Sequence, residues 1–283
     1  MKIFLILVLA LLVCYLVWQY IELRKFTVTE YTIYSDKVAR DYTLAVVADL
    51  HGFTYGKDNG KLLQAIAKAG PDAICIPGDM IVGKHKKTHE SAMQSLEGFA
   101  KIAPVYYSYG NHESKLNRSE SAYYEDFLDY EKQVQKLGVH ILNQQGEFFS
   151  EDLWICGLEI PISCYKKGTC TPLPEQFIEK QMPEKPTQAF CVMMAHNPYY
   201  SKEYAGWGAA LSLCGHYHGG LVRIPGIGSL ISPQFQFFPQ YDGGNYEIEG
   251  KHVMVSRGLG THTFHIRIFN RAELLVVKIM QKH

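Results

Sequence analysis

The sequence lacks a net charge: its 28 Lys and Arg residues balance 28 Asp and Glu. It also lacks any block of basic residues, and a nucleic-acid-coating protein needs such a footprint, so no nucleic-acid partner is expected. Internal repeats and low-complexity tracts are missing, and 47% of the 283 residues are hydrophobic, which excludes a disordered scaffold. Apolar runs of membrane-crossing length are scarce, with one at residues 3–21, and this excludes a multi-span transporter. Cysteine is too sparse for a disulfide framework. Cys14 lies in the N-terminal apolar run, and Cys75, Cys156, Cys191 and Cys214 lie in strand-like runs that read as buried thiols. Only Cys164 and Cys170, in CYKKGTC, are placed to pair, and such a pair would suit an oxidising exterior.

The run at residues 3–21 (IFLILVLALLVCYLVWQYI) holds no charge between Lys2 and Glu22. As a helix it covers roughly 28 Å, about the hydrocarbon thickness of a bilayer. Trp18 and Tyr20 fall where an aromatic belt would sit, with Arg24 and Lys25 just beyond. A cleavable signal peptide would have a shorter apolar core and a small-x-small site, which residues 17–26 do not offer. A buried core helix is rarely apolar on every face. The expectation is a retained anchor over residues 1–25 and one catalytic domain over residues 26–283. Charges flank both ends of the run, so the side of the membrane is nearly a tie. The short N-terminal tail favours an extracytoplasmic domain at a single-pass cell membrane location.

Beyond the anchor, residues 43–48, 73–76, 105–108, 153–156, 190–195, 211–214 and 253–256 read as short buried strands. Residues 62–69 and 92–102 read as helices. The clearest helix is expected at 120–137, with Tyr123, Phe127, Tyr130, Val134 and Leu137 on one stripe and Gly138 as its stop. Strand–helix–strand spacing implies a largely parallel sheet in the first half, and the strand-richer second half a second, mixed sheet. The Pro-rich residues 161–186 read as a surface excursion.

Five motifs each follow a strand-like run: Asp49-Leu50-His51, Gly78-Asp79, Gly110-Asn111-His112-Glu113, His196-Asn197 and Gly215-His216-Tyr217-His218. Polar residues at the C-terminal ends of parallel strands are where open α/β sheets place their ligands. Two carboxylates, histidines and a carboxamide, without a thiolate, suit Mn²⁺, Fe or Zn²⁺. Seven such donors exceed what one catalytic ion takes. They fit two ions sharing a carboxylate, an arrangement that can clamp an in-line displacement at phosphorus. Any one motif is commonplace in turns; their joint, ordered occurrence is not.

The ordered set DLH, GDM, GNHE, HN and GHYH resembles the calcineurin-like metallophosphoesterase superfamily from Asp49 to His218. The segments PDAICIPGDM and SRGLGTHTFHIRIFNRAELLVV resemble its bacterial membrane-associated YaeI/YkuE-type branch. The resemblance implies an α/β fold, a four-layer αββα sandwich of two mixed β-sheets. It implies one ion held by Asp49, His51, Asp79 and His218, and a second by Asp79, Asn111, His196 and His216. A metal-bridging hydroxide would attack phosphorus. His112 would contact the phosphate and serve the leaving oxygen, with Glu113 orienting its ring. The implied activity is a metal-dependent hydrolysis of a phosphoester, phosphodiester or pyrophosphate bond. A fold-retaining but inactive scaffold should have lost the bridging Asp or the GNHE histidine, and both are present. A metal-dependent amidohydrolase would leave the Asn-His pair unexplained.

His85 and His89, in the Lys-rich GKHKKTHE, read as a solvated loop and helix start, and His252, His262 and His265 match no motif. Residues 235–241 (FQFFPQY) are either core packing or an apolar lip that admits a lipid tail. Anchor and lip together favour an envelope substrate such as a phospholipid or a lipid-linked pyrophosphate, with soluble phosphoesters still open.

Overall fold

Runs such as LAVVA carry no polar residue on either side of a strand, so the strand must be covered on both faces. The computed structural model describes residues 1–168, 171–261 and 265–282. The chain begins with helix α1 (Lys2–Glu22), strand β1 (Phe26–Ser35), β2 (Tyr42–Val46), α2 (Gly60–Ala69), β3 (Ala73–Ile76) and α3 (His89–Ala100). It continues through β4 (Val105–Tyr107), α4 (Asn111–Leu116), α5 (Tyr124–Lys136), β5 (His140–Ile141), β6 (Gln145–Ser150) and β7 (Leu153–Leu158). Next come α6 (Phe177–Gln181), β8 (Phe190–Ala195), α7 (Ser201–Trp207) and β9 (Leu211–Cys214). The remaining strands are β10 (Val222–Ile224), β11 (Gly228–Ile231), β12 (Gly244–Ile248), β13 (Lys251–Val255) and β14 (Ala272–Gln281).

Two six-stranded sheets result, ordered β1-β14-β2-β3-β4-β5 and β12-β13-β9-β8-β7-β6, with β10 and β11 as a separate hairpin. Both sheets are mixed. In the first, β14 runs antiparallel to β2 while the other pairs are parallel. In the second, β13, β9, β8 and β7 are parallel and both edge strands are antiparallel. Side-chain alternation sorts the apolar residues into three cores. Ala45, Ile74 and Ile76 face α2, α3 and α5 through Leu62, Leu96 and Phe127. Leu44, Val46 and Cys75 face the second sheet's Val192, Met194 and Leu213. Cys191, Met193 and Cys214 face α6 and α7 through Ile178, Tyr204 and Trp207. The order helix, sheet, sheet, helix is the expected four-layer sandwich.

Local departures from expectation have physical causes. The helix expected from residue 120 starts at Tyr124. Before it, the Ser121 hydroxyl accepts the Tyr123 N–H and the Ser121 carbonyl accepts the Tyr124 N–H, a local alternative to helix. Tyr123 therefore precedes the stripe that Phe127, Tyr130 and Val134 bury. Residues 161–186 are more than a surface excursion, because Cys164, Ile178 and Met182 are buried in the outer core of the second sheet. Cys170, the proposed partner of Cys164, lies outside the described residues. Strands β1 and β14 were not foreseen. In β1, Thr and Tyr alternate over a half-exposed edge, which hides the apolar signal.

Helix α1 is long and apolar enough to cross a membrane, and only Gln19 in it is buried. The Gln19 carboxamide meets the backbone of Arg267 twice, donating to its carbonyl at 3.2 Å and accepting its N–H at 3.0 Å. Glu22 pairs with Arg271 at 2.5 Å. The last turn of α1 is thereby fastened to the segment that leads into β14.

Candidate metal centre

Each of the five motifs sits just past the C-terminal end of a strand: β2, β3 and β4 in the first sheet, β8 and β9 in the second. The loops prolong the strand ladders. His51 N–H bonds Asp79 O at 3.0 Å, and Gly215 N–H bonds His196 O at 3.0 Å. The sheets are also tied to one another here. Asp49 accepts the His216 N–H with both oxygens at 3.0 Å, and His196 Nδ1 lies 2.8 Å from Pro77 O. Asp49, His51, Asp79, His216 and His218 all adopt left-handed backbone, with φ of 52°, 51°, 58°, 69° and 50°. Such conformations cost L-residues about 1–2 kcal/mol each, and they turn alternate side chains toward one centre. Gly110 has negative φ, so its requirement is proximity: a Cβ there would fall on Asp79 Oδ1.

Among the described residues, three donor groups lie within 4.8 Å internally: Asp49–His51–His218, His51–Asp79–His112 and Asp79–His196–His216. Asp79 Oδ2 is 3.1 Å from His196 Nε2 and 3.9 Å from both His51 Nε2 and His112 Nε2. Asp49 Oδ1 is 3.7 Å from His196 Nε2 and from His218 Nε2. Donors bound tetrahedrally at ordinary metal–ligand lengths lie about 3.4 Å apart, so this spacing suits shared cations.

Hydrogen bonding separates the histidines into two kinds. His51, His196 and His218 each face a carbonyl oxygen with Nδ1, from Ile81 at 3.3 Å, Pro77 at 2.8 Å and Gly260 at 3.1 Å. Nδ1 then donates to the carbonyl, and Nε2 is turned inward, where it is available to a cation once it is deprotonated. The Nε2 atoms of His51 and His218 are 3.2 Å apart. His112 is reversed: its Nδ1 accepts the Gly83 N–H at 2.6 Å, so the neutral ring holds its proton on Nε2. Asn111 Oδ1 is buried and has no hydrogen-bond partner. An orphaned buried acceptor among closely spaced ring nitrogens and carboxylates is what a cation satisfies, and the donor set fits divalent metal ions.

Charge inside the cluster is strongly coupled. Burial pushes Asp49 up to about 7, with His196 opposing and Asp79 reinforcing. Burial acts the same way on Asp79, but His196, His112 and His51 outweigh it and hold Asp79 well below the carboxylate range. Burial alone would lower His196, yet the two aspartates raise it to about 9. Glu113 does not orient the His112 ring as expected. Its carboxylate accepts from the N–H groups of Asp79, Gly110 and Ile81 and from the Tyr107 hydroxyl, so it fixes backbone, and the Gly83 N–H fixes the ring.

Residues 42–220 match the family model of the calcineurin-like phosphoesterases. The chain belongs to that family. As a calcineurin-like phosphoesterase it is a metal-dependent enzyme of phosphoester bonds, and the family works with a dinuclear divalent-metal site. It is 23% identical to the phosphodiesterase YaeI of Escherichia coli (strain K12) over 256 residues, covering 86% of this chain and 83% of that protein. It is 23% identical to the uncharacterized metallophosphoesterase YkuE of Bacillus subtilis (strain 168) over 274 residues, covering 91% and 87%. A crystal structure of a dimetal phosphatase from Danio rerio superposes with a TM-score of 0.45 at 12% identity, covering 77% of this chain and 88% of that one.

A cavity of about 130 Å³ opens beside the cluster and reaches Asn111, His112, His216 and His218. Sequence reasoning missed several of its walls. Lys84, Lys115 and Lys167 supply positive charge, and Tyr165, Gln234, Ile266 and Arg267 are among the other lining residues. Burial pushes Lys115 below its ordinary value; Asp79 opposes, while Lys84 and Lys167 reinforce. Tyr165 comes from the Pro-rich segment and packs 5.0 Å from the His216 ring, centroid to centroid. In the GKHKKTHE stretch it is Lys84 that faces the cavity, while His89 packs against Tyr130. Arg267 is buried, and its guanidinium donates to carbonyls of His218, Arg257, Gly258, Gly260 and Asn270, tying the His218 loop to the loop under Asp49. No motif announced Arg267, because its partners are all backbone.

Proposed function

We propose that the chain is a membrane-anchored, two-metal phosphoesterase with its anchor in residues 1–25 and its catalytic domain in residues 26–283, on the extracytoplasmic side. Asp49, His51, Asp79 and His218 would hold one ion and Asp79, Asn111, His196 and His216 the other, with Mn, Fe or Zn as the metal. The proton pattern of the histidines carries this reading. His51, His196 and His218 spend Nδ1 on a carbonyl and turn Nε2 inward, whereas His112 accepts with Nδ1, which puts its proton on Nε2 and sets it apart as a donor. When bound, two divalent cations supply a water-derived hydroxide nucleophile at neutral pH and neutralise charge developing at phosphorus.

The protein's own groups do the rest. Lys84, Lys115 and Lys167 draw an anionic ester into the cavity. His112 Nε2–H stabilises or protonates the departing oxygen, and the Gly83 N–H holds the ring in the tautomer this requires. Glu113 and Arg267 keep the loops in place. The substrate is a phosphoester of the cell envelope, in keeping with the anchor.

The test is hydrolysis of bis-p-nitrophenyl phosphate and p-nitrophenyl phosphate by full-length protein in detergent, stripped with chelator and then given Mn²⁺. Metal-restored release that is absent from Asp79→Asn supports the proposal. No release of either ester with any divalent ion, from a folded protein, would defeat it.

A further inference from the structure

The segments around the cavity mouth form one hydrogen-bonded platform. Residues 265–271 join β10 through a bridge between Ile268 and Val222, β10 pairs with β11, and Ile231 of β11 bridges Phe237. The Phe238 N–H also bonds Leu230 O, and the Asn270 amide bonds Gly220 O at 2.6 Å. From this platform Ile227, Phe235, Phe237, Phe238, Ile266 and Phe269 project into solvent. Phe237 is 71% exposed, Ile227 69% and Phe269 68%, too much for a packed loop buttress. Among the described residues beyond α1, ten large hydrophobic side chains are exposed, and six of them stand here. Scattered single exposures are ordinary in a soluble protein, but this concentration is not.

The anchor decides what covers this patch. Gln19 lies three residues before the end of α1, about 4.5 Å along its axis, and it grips the backbone of Arg267, next to Ile266. If α1 spans the bilayer, its last turn marks the membrane surface, and the fastened platform lies at that level. Trp18, Tyr20, Arg24 and Lys25 are the residue types that occupy such an interface. The cavity opens at the same place, since Ile266 is both cavity wall and exposed apolar residue. Lys167, another wall residue, sits 4.9 Å over the Phe235 ring, joining the cationic mouth to the aromatic rim.

We infer that this platform is a bilayer-docking surface, which lays its aromatic rim into the headgroup–acyl boundary and opens the cavity toward phosphoesters carried on amphiphiles. The inference rests on the anchoring part of the reading above and is independent of the metal chemistry. An interfacial surface of this kind enters about 5–10 Å below the headgroups, a depth that acyl-chain quenchers report.

The experiment places an environment-sensitive fluorescent amino acid at Phe237, or at the exposed, remote Lys132, in full-length protein. Each form is reconstituted into phosphatidylglycerol–phosphatidylethanolamine vesicles with brominated acyl chains. The expected result is several-fold greater quenching at 237 than at 132, diminished when Phe235 and Phe238 are changed to Ser. Equal quenching at the two positions overturns the docking surface. So does a probe at 237 that is shielded without bromine quenching and becomes exposed on dilution in detergent, which would mark a contact between copies of the chain. Neither result touches hydrolysis of the soluble nitrophenyl esters, so docking and activity fail separately.

Discussion

Asp79 and His112 divide the work of the site between them. Asp79 shares a donor group with His51 and another with His196 and His216, so Asp79→Asn is expected to empty both metal positions and abolish turnover. Disturbing an outer partner of a ligand already costs about 10–100-fold in affinity, and losing the bridge should cost more; metal content by mass spectrometry checks it. His112→Ala should keep its metal and lose about 10²–10⁴-fold in kcat. Loss of metal instead would make His112 a ligand. Proton uptake supplies a further test. With His196 raised to about 9 and Asp49 to about 7, the metal-free site carries protons at pH 7 that cations must displace. Metal binding should therefore release protons, and apparent affinity should climb with pH until His196 has titrated near 9. Calorimetry in buffers of different ionisation enthalpy reads the release, and a buffer-independent heat would contradict it.

Elements explain which parts of the site could be read from the sequence. Strands buried on both faces leave unbroken apolar runs, so the ends of β2, β3, β4, β8 and β9, with the polar residues just after them, stood out. Edge strand β1 and the loops carried no such signature, Glu273 and Lys278 interrupt the apolar run of β14, and Arg267 works through carbonyls that any sequence would supply. Glu113 was seen and misassigned, because a carboxylate beside a histidine suggests ring orientation, whereas its geometry serves the start of α4 and the turn after β3. Glu113→Ala should strand the N–H groups of Asp79, Gly110 and Ile81, costing about 1–3 kcal/mol for each left unsatisfied. Urea unfolding would register that loss together with weaker metal retention. An unchanged midpoint would show that water replaces the carboxylate at no cost.

For the whole molecule, the candidate metal ligands come from loops of both sheets, so bound cations would act as cross-links between layers. Chelation should lower Tm and Mn²⁺ should restore it, with stability rising by about 1.4 kcal/mol per tenfold excess of free cation for each site. A Tm indifferent to chelator would leave the layers held by their apolar cores alone. The sheet order has a different consequence, in the time domain of synthesis. Strand β14 lies between β1 and β2, so the seam of the first sheet is filled by a segment translated more than 200 residues after β2. Until it emerges, β1 and β2 wait with open edges, while β2, β3 and β4 can already pair. The nascent enzyme is thus dependent on its last strand: ribosome stalling upstream of residue 272 would leave an unsealed, aggregation-prone intermediate, however complete its complement of metal-site residues.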